Sequence, residues 1–193
     1  MKLRVVAALM TAVLLSACGL NSVPRAEENA KAKWADVQAS YQRRADLIPN
    51  LVATVKGAAA SEGQILAEVT NARARASSVQ VSANDLTDPA KVQQFQQAQA
   101  ALGSSVGRLL VTVEKYPDLK SQGRFGDLQQ QLEGTENRIN IAIRDYNESV
   151  QAYNTTVRTF PDAIGAKIFY GAKPMTPFAA TTPGAQTAPT VSF

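Results

Sequence analysis

Apolar residues in this chain recur on alternating steps of three and four, the spacing that keeps one face of a helix apolar. Trp34, Val37, Tyr41, Ile48, Leu51, Val55, Ile65 and Val69 hold one register, with Arg44, Ala58, Glu62, Ala72 and Ala76 in its gaps. Gly57 and Gly63 bracket a weaker stretch where a turn also fits. Pro49 falls inside the pattern. A proline there removes one backbone hydrogen bond and crowds the carbonyl of Ala45, so the helix either kinks and continues or restarts with Asp46 as its cap. The apolar register carries through the proline, which favours a continuous helix. Ser77 to Thr87 is polar and predicts a loop. Asp88-Pro89 then predicts a helix start, followed by a second seam of Val92, Phe95, Gln99, Leu102, Val106, Leu109 and Val113. A third seam, Phe125, Leu128, Leu132, Ile139, Ala142, Tyr146 and Tyr153, runs towards Phe160-Pro161. These elements predict an all-α fold, an antiparallel bundle of three to four long amphipathic helices.

The two ends of the chain follow other patterns. Met1 to Arg4 is short and basic, Val5 to Leu15 is an apolar run of eleven residues, and Ser16, Ala17 and Cys18 follow. This is the layout of a secretory signal over residues 1–17. The run falls short of the roughly 20 apolar residues a spanning helix needs. Leu15-Ser16-Ala17-Cys18 also resembles the lipobox of bacterial lipoproteins, in which the cysteine becomes the first residue and carries acyl chains. The other reading is a plain signal with Cys18 incidental. That the single cysteine of the chain stands where the lipobox requires it favours lipid attachment at Cys18. Residues 18–30 predict a polar tether, 31–170 the bundle, and 171–193 an extended or disordered tail rich in Pro, Thr and Ala.

Composition narrows the chemistry. The chain has 193 residues and no histidine, which removes the commonest metal ligand and general base. One cysteine permits neither an internal disulfide nor a cysteine-rich zinc site. No nucleophile elbow, phosphate-binding loop or dinucleotide fingerprint occurs. Of 20 basic residues, Lys2 and Arg4 lie in the leader, which leaves 18 against 16 acidic residues. So balanced a body does not suit nucleic acid.

Three features are candidates for function. Pro49 and Asn50 form a notch where a freed carbonyl and an amide are offered together; the plainer reading is a packing kink satisfied by a neighbouring helix. Asn140, Asn147 and Asn154 lie seven apart, each one residue after a core position, and so line one edge of the third seam. They serve either as a ladder for a partner or ligand, or as bonds between helices that fix register. Glu133, Glu136, Asp145 and Glu148 form carboxylate pairs, but Arg138, Arg144 and Arg158 are interspersed, and a salt-bridged face explains them. The glutamine-rich run at residues 93–99 reads as helix surface, apart from Gln99 on the seam.

Several stretches together resemble the LemA family of bacterial envelope proteins. They are Arg44 to Val52 with Val55-Lys56-Gly57; Tyr116 to Ser121 with Phe125 and Leu128; and Gly134 to Ile139, then Arg144-Asp145-Tyr146-Asn147, Val150, Tyr153-Asn154 and Phe160-Pro161. Order and spacing agree from about residue 30 to residue 175. The resemblance implies a helical bundle held at a membrane by its N-terminus, with the domain outside the cytoplasm. It carries no established activity. Many members have an N-terminal transmembrane helix where this chain has the lipobox. The expectation is therefore a non-enzymatic envelope lipoprotein, a scaffold or adaptor with no cofactor and no metal. Its partners would be the membrane, through the lipid, and another envelope protein; the seams also permit self-association. Gly19 after the cysteine mildly favours the outer membrane, on the periplasmic side. The alternative is a module that binds a lipid or cell-wall fragment in a groove near Pro49.

Overall fold

The computed structural model describes residues 21–121 and 123–179. Helix α1, Ser22–Ala58, is 37 residues long and runs unbroken through Pro49. Trp34, Val37, Tyr41, Arg44, Ile48, Leu51 and Val55 are all buried along one stripe, as the spacing predicts. The chain leaves the helix at Ala59 (φ −131°, ψ 56°), passes a 3₁₀ turn at Ala60–Glu62 and returns as α2, Gly63–Ser78. Val69 and Ala76, expected on the seam, are buried, whereas Ile65 and Ala72, also expected there, are only half-buried and Leu66 is buried instead. The seam carried across the turn is thus kept in part, with the buried face of α2 slightly rotated from it.

The connection 79–88 contains a 3₁₀ turn, Ala83–Thr87. Helix α3, Pro89–Val113, starts as predicted: the Asp88 carboxylate accepts from the amides of Ala90 (3.0 Å) and Lys91 (3.4 Å), with Pro89 in the first turn. A short α4, Pro117–Lys120, leads into α5, Gly123–Thr156, of 34 residues. All seven predicted seam residues of α5 are buried, as are all seven of α3. A single turn, α6 (Asp162–Gly165), and a π-helical turn, Ala166–Tyr170, complete the helices.

The expected all-α antiparallel bundle is what forms, as four legs. Lys33–Asp145 (3.8 Å) and Arg44–Glu136 (3.0 Å) set α1 against α5 in opposite directions. Arg73 to Ala45 sets α2 against α1, and Arg108–Glu68 with Gln99 to Ala76 sets α3 against α2. The core has two clusters along its length. One gathers Trp34, Tyr41, Phe95, Tyr146 and Phe178; the other gathers Ile48, Leu51, Leu102, Leu109, Phe125 and Leu132. At about 1.5 Å per residue α1 is roughly 55 Å long.

Both predicted end segments need correction. The tether expected over 18–30 is helical from Ser22, and Val23 and Ala30 are fully buried. Pro24 does not prevent this because it stands in the first turn, where an amide needs no partner within the helix. The tail expected from 171 is packed on the bundle as far as it is described. Beyond Gly171, residues 172–179 carry no helix, and Met175 and Phe178 are buried in the first core cluster. Cys18 and the chain beyond Ala179 lie outside the described residues.

Candidate functional site

Two of the three members of the asparagine row, Asn147 and Asn154, hold the chain's own C-terminal segment. The Asn154 amide brackets Met175: its Oδ1 accepts from the Met175 N–H (2.8 Å) and its Nδ2 donates to the Met175 carbonyl (2.8 Å). Asn147 brackets Phe178 in the same way, at 2.7 and 3.0 Å. Seven residues of helix advance about 10.5 Å and three residues of extended chain about 10 Å, so the two periods match and every third strap residue meets an asparagine.

The tyrosines before those asparagines fill the gaps. Tyr146 Oη donates to the Thr176 carbonyl (2.8 Å) and Tyr153 Oη to the Lys173 carbonyl (3.1 Å). The Thr176 amide donates to the Leu86 carbonyl (2.8 Å). Pro174 and Pro177 have no amide to satisfy and hold the residues before them extended. Burial holds the Tyr146 and Tyr153 phenols above their ordinary range, so both act as neutral donors. Phe178 then enters an aromatic box. Its ring lies 6.2 Å from Trp34, 6.2 Å from Tyr41 and 6.4 Å from Phe95, and Trp34 contacts Phe95 (5.3 Å) and Tyr146 (5.2 Å). The signal that marks this strap in the sequence is Met175 and Phe178, three apart, each directly preceded by proline, opposite asparagines seven apart.

Where the two core clusters meet, a polar node crosses the bundle. Arg44 is 4% exposed. Its Nη2 donates to the Gln99 carbonyl (2.8 Å) and Gln99 Oε1 (2.9 Å), and its Nη1 to Glu136 Oε1 (3.0 Å). Gln99 Nε2 donates on to the Ala76 carbonyl (3.3 Å), so all four legs are joined. The Arg44 guanidinium also lies over the Tyr41 ring, 4.9 Å from its centre, while Arg44 Nε is buried without a partner. Burial pushes the Tyr41 phenol up to about 12. Gly103 makes room for the guanidinium; a Cβ there would stand 3.3 Å from Arg44 Nη1. An open groove of about 530 Å³ runs from this node past Asn140 and Asn147 to Phe178 and Ala179. Asn140, the third of the row, is exposed in this groove and has no hydrogen-bond partner among the described residues.

The Pro49 notch has a different outcome. Pro49 and Asn50 are exposed, and the Ala45 carbonyl freed by the proline accepts from Arg73 Nε of α2 (2.8 Å). This is a packing solution, which removes the carbonyl a ligand would have used there. The carboxylate pairs behave as a salt-bridged face, with Arg144 near Asp145 (3.4 Å) and Glu148 (3.9 Å). Among the described residues no group of acidic residues is placed to hold a metal, and no helix is long and apolar enough to cross a membrane.

The residues that unite the chain are therefore Arg44 with Glu136, and Tyr146-Asn147 with Tyr153-Asn154. These are members of the motifs on which the family resemblance rests. The LemA family model matches residues 33–193, from the start of the buried stripe through the strap. This chain belongs to the LemA family. Among curated relatives it is 25% identical over 159 residues to magnetosome protein MamQ 2 of Paramagnetospirillum magneticum, covering 73% of this chain and 58% of the relative. It is 26% identical over 152 residues to magnetosome protein MamQ of Magnetospirillum gryphiswaldense (69% and 55% covered). To protein LemA of Metamycoplasma hominis it is 26% identical over 124 residues (64% and 52% covered). The chain thus spans little more than half the length of these relatives. Membership in the LemA family accords with the all-α bundle and gives the strap a place inside the matched region.

Proposed function

We propose that this LemA-family protein is a non-enzymatic scaffold of the bacterial cell envelope, anchored by lipid at Cys18 and docking other envelope proteins from the periplasmic side. The outer membrane is the mildly favoured location. The observation that carries the reading is where the polar side chains go. Arg44, Asn147, Asn154, Tyr146 and Tyr153 are all engaged with the chain's own backbone, and each such bond rigidifies the bundle. A rod about 55 Å long, fastened along its length, suits presentation of a surface more than turnover of a substrate. The lipobox supports the anchor, and the names of the relatives are not those of enzymes. Two or more acyl chains hold stably where one does not, at about 0.8 kcal/mol per buried methylene.

The test is in-cell crosslinking with mass spectrometry. The native protein is compared with residues 19–193 exported on a leader without the cysteine. Discrete crosslinks to one or two envelope proteins, lost in the unanchored form, are expected. Self-crosslinks alone, or none, in both forms would contradict an adaptor role.

A further inference from the structure

Seven large apolar side chains are exposed among the described residues, and five of them fall between residues 160 and 170. Phe160 is 82% exposed, Ile164 53%, Ile168 69%, Phe169 68% and Tyr170 44%. Single exposed apolar residues are ordinary; a cluster marks a surface that meets something apolar. Ile164 and Ile168 stand four apart on the successive helical turns Asp162–Gly165 and Ala166–Tyr170, and Phe160 lies just ahead of the first of them.

The segment packs inside out for a soluble surface. Its small residues, Gly165 and Ala166, are buried, and Ala166 shares a core cluster with Val23. The Ala172 amide donates to the Ala166 carbonyl (3.0 Å), and Gly171, in the left-handed conformation (φ 55°), turns the chain into the strap. The backbone is thus held at both ends while the bulky side chains face outward. Along the same stretch of chain, residues 158–173, Arg158, Lys167 and Lys173 are exposed, with Asp162 as its one acid.

Position supplies the occupant. The pairs Lys33–Asp145 and Arg44–Glu136 place the start of α1 beside the end of α5, so the apolar cluster lies at the pole where α1 begins. Ser22 is four residues past Cys18, and four residues reach at most about 14 Å. A lipid at Cys18 would hold this pole at the bilayer; in that respect the inference rests on the anchoring proposed above. From this geometry we propose that Phe160, Ile164, Ile168, Phe169 and Tyr170 form a foot that inserts into the boundary between headgroups and acyl chains. Arg158, Lys167 and Lys173 would sit at the level of anionic headgroups. Aromatic and aliphatic side chains rimmed by cations are the chemistry that such a boundary accepts. The foot would set the rod upright on the membrane, where a flexible anchor alone would leave its angle free.

The experiment uses the chain from Gly19 to Phe193, which contains every described element and carries neither leader nor acyl chain. It is floated with vesicles of phosphatidylethanolamine and phosphatidylglycerol. The triple variant F160S/I168S/F169S is expected to reduce the vesicle-bound fraction at least about tenfold, with the thermal transition unchanged because these side chains are exposed. Val111→Ser, at an exposed apolar site in α3, is expected to leave binding unchanged. In a second measurement, Phe169→Trp reports insertion through a blue shift of the new indole's emission on adding vesicles, over the buried Trp34. Failure of the parent chain to bind vesicles would overturn the foot, as would equal binding by the triple variant or an unshifted emission from Phe169→Trp. A concentration-dependent dimer abolished by the triple variant, without vesicle binding, would assign the surface to a second copy and also overturn it. Because no acyl chain is present, each of these failures leaves the Cys18 anchor standing, and an unmodified Cys18 leaves the foot standing.

Discussion

Phe178→Ala is expected to lower the stability of the folded chain by about 3 kcal/mol, the lower part of the range for removing a buried phenylalanine. The ring is 8% exposed and closes the box of Trp34, Tyr41 and Phe95, so its loss leaves a cavity lined by three aromatic faces. Asn147→Leu attacks the same contact from the other side. It leaves the Phe178 amide and carbonyl without partners, at about 1–3 kcal/mol. Asn147→Asp keeps the acceptor and loses the donor, and falls between wild type and leucine. Chemical denaturation gives the size of each effect. Hydrogen exchange locates it: the amides of Met175, Thr176 and Phe178 should lose protection before those of α1 and α5. A loss below about 1 kcal/mol for Phe178→Ala would mean that the strap is not part of the cooperative fold.

Arg44 carries the second large effect. Arg44→Met is expected to cost about 2–3 kcal/mol, because the Gln99 carbonyl and side chain lose their donor inside the bundle. Glu136→Gln should cost under about 1 kcal/mol, since that side chain is half exposed (48%) and the amide oxygen that takes the carboxylate's place still accepts from Arg44. The difference between the two decides what the node is for. If the neutral acceptors on Gln99 dominate, Arg44→Met changes little with salt. Equal costs for Arg44→Met and Glu136→Gln, both falling with added salt, would make the node an ordinary ion pair.

How far the sequence reveals this molecule depends on what each segment packs against. The seams of α3 and α5 are read in full, because a helix that buries one face must repeat at 3.6 residues whatever its neighbour is. The stripe of α1 is read through Pro49, since Ala45 finds its donor in Arg73 on another helix. The register of α2 is read only in part: Val69 and Ala76 are buried as the spacing predicts, but the non-helical Ala59 rotates the helix enough that Leu66 is buried in place of Ile65. The start of α1 is missed because Pro24 reads as a breaker unless its place in the first turn is known.

The strap shows the limit most clearly. Residues 171–179 have no helical period, and the Pro-, Thr- and Ala-rich stretch they open has the composition of a disordered tail. What orders them is a match between two periods, asparagines seven apart on a helix and strap residues three apart on an extended chain. Asn147 and Asn154 are visible as a row, but a row does not say whether it faces a helix, a ligand or the chain's own end. Two of the five candidate positions outside the leader are thus structural through the strap, and Pro49 through Arg73. Asn50 is exposed, and Asn140 stands open in the groove beside Ala179.

The most direct test of the central proposal is the mass of the N-terminal peptide of the protein extracted from membranes. A chain beginning at Cys18, with two or more acyl chains on that residue, is the predicted result. A chain that begins elsewhere, or an unmodified Cys18, would contradict a lipid-anchored scaffold.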